Sequence, residues 1–262
     1  MAAEADTQSF REHLDVLRAA IVRSAAVAAV FGIAAFFFKE ELFAVVLAPK
    51  DDGFVTYRLF GRIAAWAGGA VEPFSVRLIN TELAQQFIIH MKTALCAGVL
   101  CASPYILYRL FRFVSPALYD NERRYAVRVV AGGYAMFSLG VLVGYFLIFP
   151  LTFRFLGTYQ VSGEVDNLIA LDSYISTLVT MCLAMGIVFE IPMLSWLFAR
   201  LGFLSADFMR RYRKHAIVII LVVAAVITPT SDVFTLSLIA LPMWGLYEAS
   251  LLIVRRIPNR KA

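Results

Sequence analysis

The chain has 262 residues, 61% of them hydrophobic and 16% charged, with a mean hydropathy of +0.76. That composition is too apolar for one soluble globule and reads as a polytopic membrane protein. The formal charge of +5 sits in connecting segments without interleaved aromatics, which excludes a nucleic-acid groove.

Charged residues at Glu4, Asp6, Arg11, Glu12, Asp15 and Arg18 precede any apolar core, so the N-terminal segment is expected to stay in the mature protein rather than be cleaved as a leader. The stretch SFREHLDVLR at 9–18 spaces Ser9 and Glu12 as a capping box and puts Phe10, Leu14 and Leu17 on one helical face. It predicts an amphipathic helix over about 9–20 that leads into the first span. A spanning helix needs roughly 20 mostly apolar residues, and six segments qualify as candidates: 21–38, 93–111, 126–150, 174–199, 216–227 and 233–254. No second globular composition, repeat or low-complexity run intervenes, so 1–262 is expected to form a single integral domain.

Between the first two spans, residues 51–86 form a long connection broken by Gly53, Gly61, Gly68, Gly69 and Pro73, too polar to cross and long enough to cap one face. His90 and Lys92 follow at the start of the second span, where Lys92 is expected to snorkel outward and His90 to pack at the interface. Pro104, inside that span, favours a kink. In the third span Gly140 and Gly144 have the four-residue spacing that lets helices approach closely. The fourth contains GIVFEIP, which sets Glu190 two residues before Pro192 in an apolar run. An ionised carboxylate in hydrocarbon costs at least about 2.5–3.5 kcal/mol, so Glu190 must face protein, water or a partner, or be protonated. The fifth apolar run, 216–227, reaches only about 18 Å against a core of about 30 Å. With the turn TPTSD at 228–232 it predicts a tight hairpin of short fifth and sixth spans. Cys96, Cys101 and Cys182 lie inside spans without metal-ligand spacing and read as small core residues.

Lys and Arg are distributed unevenly about these spans. Seventeen lie in the N-terminal segment, the second and fourth connections and the tail, against six in the first and third connections, with Lys92 at a span end. The positive-inside rule therefore predicts that both termini are cytoplasmic. On that same side lies FVSPALYDNERR at 113–124, where Pro116 biases Ser115 away from the helical region and forces a turn. One carboxylate, Glu122, then stands beside Arg123 and Arg124 in a short charged loop.

In order along the chain, HLDVLR (13–18), SPYILY (103–108), FVSPALYDNERR (113–124), FSLGVLVGYFLIFP (137–150), FEIP (189–192), ITPTSD (227–232) and ALP…YE (240–248) resemble the TatC family, the multispanning receptor subunit of the twin-arginine protein translocase. The resemblance implies an all-α integral membrane fold, a cupped, glove-like bundle of six transmembrane helices in the bacterial cytoplasmic membrane. It implies binding of twin-arginine signal peptides on the cytoplasmic face, recruitment of TatA- and TatB-type single-span subunits, and export of folded precursors driven by the proton-motive force. Self-association in a receptor complex is also implied. The recognition surface it carries over comprises Arg18, Phe113, Leu118, Tyr119, Glu122 and Arg123, with Asp15 as a further candidate. Glu190 and Thr228 are candidates for an intramembrane contact with a partner or signal helix. Carboxylates suit this task because they hold arginines through charge-assisted, bidentate hydrogen bonds. No catalytic residue, metal or cofactor is implied.

Three positions depart from the family pattern. The acid expected at Val16 stands one place earlier, at Asp15, and a one-residue shift turns a side chain by about 100° around a helix; either Asp15 substitutes by a different approach or Glu122 carries more of the recognition. The polar residue expected after Asp232 is Leu236, and no role transfers to Glu82 in TELAQQF. A rival reading is a proton-coupled small-molecule transporter with Glu190, Asp232 and Glu248 as a relay, but paired half-repeats are missing from the sequence. An intramembrane hydrolase lacks a nucleophile and base set, since His13, His90 and His215 lie at span ends or outside.

Overall fold

A computed structural model describes residues 10–66, 68, 74, 76–114, 126–160, 162, 167–228 and 232–257. Five helical segments there are long and apolar enough to cross a membrane: Leu14–Phe37, Gln85–Phe113, Val130–Thr158, Leu171–Arg200 and Val233–Arg255. The chain groups into two compact units, Met1–Phe38 with Ala94–Tyr134, and Lys39–Thr93 with Ala135–Ala262.

In the first unit α1 (Phe10–Phe37) is one uninterrupted helix, so the amphipathic N-terminal segment and the first span form a single rod. No Pro or Gly interrupts it before Gly32. It packs on α4 (Gln85–Val114), which enters this unit at Ala94. A Cβ at Gly98 would lie 2.4 Å from the Ala28 carbonyl oxygen and 2.5 Å from the Gly32 amide, so the two backbones touch where glycine leaves room. Pro104 lies inside α4 without ending it. It has no amide for the carbonyl of Leu100, and the hydroxyl of Ser103 donates to that carbonyl instead, at 2.7 Å.

The second unit is built around α7 (Leu171–Val188), whose Tyr174, Ile175, Met181 and Met185 are fully buried together with Ile89, Ile148, Phe149 and Ile239. Against it lies the third span: α5 (Ala126–Val143), a π-helical turn (Gly144–Ile148) and α6 (Phe149–Thr158). The predicted close approach occurs here, since a Cβ at Gly140 would meet the Met185 carbonyl oxygen at 2.4 Å and one at Gly144 the Cys182 Cα at 3.0 Å. The sequence reading ended this span at Pro150, but the helix runs on to Thr158. Pro150 cannot give an amide to the carbonyl of Phe146, and the π-turn together with the Thr56 hydroxyl, which donates to that carbonyl, absorbs the defect.

The connection expected to be broken coil contains α2 (Lys39–Leu47), a 3-10 turn (Ala48–Lys50) and α3 (Val55–Trp66). The Tyr57 hydroxyl lies 3.0 Å from the carbonyls of both Pro49 and Pro150 and ties α3 to two helix ends. A parallel pair of two-residue strands, β1 (Leu78–Ile79) with β2 (Ile169–Ala170), adds a small departure from an all-α fold. Lys92 does not simply snorkel: its Nζ donates to Ser176 at 2.5 Å and lies 3.8 Å from Asp172, both on α7. His90 is buried with its ring 5.7 Å from that of Phe43.

The fourth span breaks at Phe189–Glu190 between α7 and α8 (Ile191–Arg200), where the ring of Pro192 excludes a straight continuation. A short α9 (Ala206–Arg211) leads into α10 (Arg213–Ile227), whose 15 residues rise about 22 Å. This fifth helix is short, as expected. The sixth is not: α11 (Val233–Arg255) has 23 residues and rises about 34 Å. Residues 229–231 of the expected hairpin turn lie outside the described residues; Asp232 caps α11 directly and the apolar run then continues past Pro242. Cys182 is buried, but Cys101 faces outward and is no core residue.

Candidate functional site

The recognition residues proposed from sequence fall on the first unit. Gly32 meets Ala94 and Leu95 while Gly98 meets Ala28 and Gly32, so α1 and α4 run antiparallel. Followed at equal rise from the Ala28–Gly98 contact, thirteen residues back along α1 is Asp15 and thirteen forward along α4 is Phe111. The fold thus brings Asp15, and Arg18 one turn deeper, level with the last turns of α4, where Phe113 leads into the charged loop. Phe113 is half-buried, whereas Asp15 and Arg18 are exposed. Three residues apart, they share one helical face, yet among the described residues neither is ion-paired. Helical spacing also allows Asp15 a local ion pair with Arg11 or Arg18; the pair with Arg18 is not formed, and Arg11 lies outside the described side chains. Leu118, Tyr119, Glu122 and Arg123 lie outside the described residues. Arg109, one turn before Phe113, has its Nε buried without a hydrogen-bond partner among the described residues, a cationic group at the same helix end.

The intramembrane candidates belong to the second unit. Glu190 is the N-cap residue of α8, with helical rather than extended backbone and no side-chain cap bond. Its Oε1 is buried with no hydrogen-bond partner among the described residues, while the side chain as a whole is half-buried. A buried acceptor in a membrane span is costly unless it is protonated or meets a donor. Thr228 is the C-cap of α10, buried, and its hydroxyl bonds back to the Ala225 carbonyl at 3.2 Å. That bond is already internal, so Thr228 offers less to a partner than Glu190 does. The other acids of the rival relay have structural employment. Asp232 Oδ2 accepts from the Thr235 amide at 2.7 Å, and Glu248 Oε2 pairs with Arg213 at 2.5 Å. A carboxylate held in a cap or an ion pair is a poor proton carrier.

A family model described as Sec-independent protein translocase protein (TatC) matches residues 12–242. The chain belongs to the TatC family. Relatives in the family include the Sec-independent protein translocase protein TatC of Blattabacterium sp. subsp. Periplaneta americana (strain BPLAN), 31% identical over 267 residues and covering all of both chains. That of Desulforapulum autotrophicum is 34% identical over 261 residues, covering all of this chain and 89% of the relative. Two crystal structures of the twin arginine translocase receptor TatC resemble the fold. One, in DDM, has a TM-score of 0.77 at 30% identity and covers 93% of this chain and all of the other. The second has a TM-score of 0.74 at 31% identity, covering 93% and 98%. The chain is accordingly a membrane-spanning component of a protein translocase, a transport protein rather than a known type of enzyme. Family membership also accounts for motifs whose structural work was not evident from sequence: the SP pair repairs a helix, and the Glu of YE anchors α10 to α11 through Arg213. Gly98 and Gly32 were missed, although their small size beside Ala28 and Ala94 was available as a signal.

Proposed function

We propose that this chain is the receptor and core subunit of a twin-arginine translocase, a single six-span domain over 1–262 in the bacterial cytoplasmic membrane with both termini cytoplasmic. The cupped arrangement of the family belongs to this reading, with α10 as the short fifth span. The cytoplasmic ends of α1 and α4 and the loop between α4 and α5 bind the twin-arginine signal peptide of a folded precursor. Asp15 and Glu122 hold the arginines, Phe113, Leu118 and Tyr119 receive the flanking apolar residues, and Arg18 and Arg123 complete the polar rim of the same surface. Glu190 and Thr228 contact a partner or the arriving signal helix within the membrane, TatA- and TatB-type subunits join the complex with further copies of the chain, and the proton-motive force drives export.

The observation that supports this reading is an exposed Asp15, with no ion pair among the described residues, level with the end of α4 in a member of the TatC family. An exposed acid is available to a ligand cation, and removal of one partner from a desolvated charge pair costs about 2–5 kcal/mol. Purified protein should bind a twin-arginine peptide, and site-specific crosslinking of a precursor should be abolished by Glu122→Gln and clearly weakened by Asp15→Asn at unchanged membrane levels. Wild-type crosslinking by both variants would remove the two acids from the site; failure of the wild type to bind the peptide would remove the reading itself.

A further inference from the structure

The helix α3 presents three different faces, and one is left over by everything assigned so far. At about 100° per residue, Thr56 and Tyr57 point toward the unit's core, where both are buried. Val55, Leu59, Ile63 and Trp66 fall within an adjacent arc of about 80°. All four are exposed, Trp66 at 91% and Val55 at 62%. Arg58 and Arg62 flank that stripe on its other side and are exposed as well. Arg58 Nε donates to the Gly53 carbonyl at 2.6 Å, which fixes the root of the guanidinium while the residue stays exposed.

The depth of this helix follows from its anchors. The Thr56 hydroxyl donates to the Phe146 carbonyl, the Tyr57 hydroxyl reaches the Pro150 carbonyl, and Phe54 stacks on Phe146 with centroids 5.6 Å apart. Counted from Ala126, where the third span begins, Phe146 and Pro150 lie about 30 and 36 Å along the helix. The hydrocarbon core is about 30 Å thick. The first turn of α3 is thus held at the far boundary of the bilayer. Leu142 and Phe146 of the span itself are exposed apolar residues as well.

We propose that α3 is an interfacial helix lying in the lipid boundary on the side opposite the termini, with Val55, Leu59, Ile63 and Trp66 among the upper acyl chains and Arg58 and Arg62 on lipid phosphates. An apolar stripe bordered by arginines, ending in a Trp, is the pattern such helices use. The lipid surface is favoured over a protein partner because the anchors already set the helix at the membrane boundary and the charges flank the stripe. The inference uses the six-span topology proposed above and none of its signal-peptide chemistry.

Full-length protein reconstituted in phosphatidylcholine vesicles tests it, with Trp196→Phe and Trp244→Phe isolating Trp66. The same signal is obtained as the difference between wild type and Trp66→Phe, so the measurement does not hinge on one variant's folding. Lipids brominated on the upper acyl chain should quench Trp66 emission by about twofold, and aqueous iodide should leave it nearly unchanged. Brominated phosphatidylglycerol, diluted in unbrominated phosphatidylcholine, should quench more than the same fraction of brominated phosphatidylcholine. Arg58→Gln with Arg62→Gln should abolish that preference. Quenching by iodide and not by bromolipid would overturn the proposal in favour of a solvent-facing helix. Quenching by neither would overturn it in favour of a protein cover such as a second copy. Equal quenching by both headgroups in the wild type would overturn the phosphate contacts. Because twin-arginine peptide binding is scored separately, loss of that activity and loss of the lipid contact are distinguishable.

Discussion

Gly98 lies so close to Ala28 that a Cβ on it would stand 2.4 Å from the Ala28 carbonyl oxygen. The obstacle is backbone on both sides, with the Gly32 Cα at 2.7 Å, so no side-chain rotation relieves the clash. This contact sets the register that brings Asp15 level with the end of α4. Gly98→Ala should destabilise the protein by about 1–3 kcal/mol and lower its thermal midpoint in detergent. It should also weaken precursor crosslinking, because the register shifts with the helices. An unchanged midpoint would show that α1 and α4 are free to separate there.

Ser103 and Pro104 act as a pair. Without the Ser103 hydroxyl the Leu100 carbonyl has neither its normal amide nor a replacement. Ser103→Ala should cost about 1 kcal/mol, within the range of polar contacts between and within membrane helices. Ser103→Thr should retain most of the stability, since its hydroxyl reaches the same carbonyl. Adding Pro104→Ala to Ser103→Ala should restore stability by returning the amide, and a double variant no better than Ser103→Ala would contradict this account.

Tyr57 is buried, and burial raises its phenol above the ordinary 10.0, an effect that Arg154 beside the ring partly offsets. The folded protein therefore holds this proton more tightly than the unfolded chain. Its contribution to stability is complete below about pH 10 and declines above it as the unfolded chain ionises first. Tyr57→Phe should lose about 1 kcal/mol at neutral pH, because one hydroxyl proton shared between the Pro49 and Pro150 carbonyls is removed. It should also show a shallower fall of thermal midpoint on the alkaline side than the wild type. An identical alkaline slope would place the titration elsewhere.

Glu190 separates stability from function. Its Oε1 is buried without a hydrogen-bond partner among the described residues, so replacement should not destabilise the chain. Glu190→Ala is expected to leave stability unchanged or raise it by up to about 1 kcal/mol, read as an unchanged or higher thermal midpoint, while export or partner crosslinking falls after the precursor has bound. Normal export at wild-type protein levels would make it a tolerated acid with no role in partner contact.

The hydropathy pattern by itself located the apolar helices and the short fifth one, since apolar composition is a local property of sequence, but it ended the third span too early and shortened the sixth. It also located the close contact at Gly140 and Gly144, because a four-residue spacing of small side chains repeats on one helical face. What the tertiary structure decided were features that depend on atoms far apart in the chain. Helix α6 continues through Pro150 because Thr56, 90 residues away from Phe146, satisfies the carbonyl the proline abandons. Lys92, which stays exposed, is tied to α7 because Ser176 and Asp172 come within reach of it. Helix α3 forms in a stretch rich in glycine breaks because Tyr57 finds two carbonyls that only folding places side by side. Motif order pointed to the family, but whether Asp15 is an exposed acid or a local ion-pair partner could be decided only by its surroundings: spacing along a helix permits a pair with Arg18, and side-chain placement determines whether one forms.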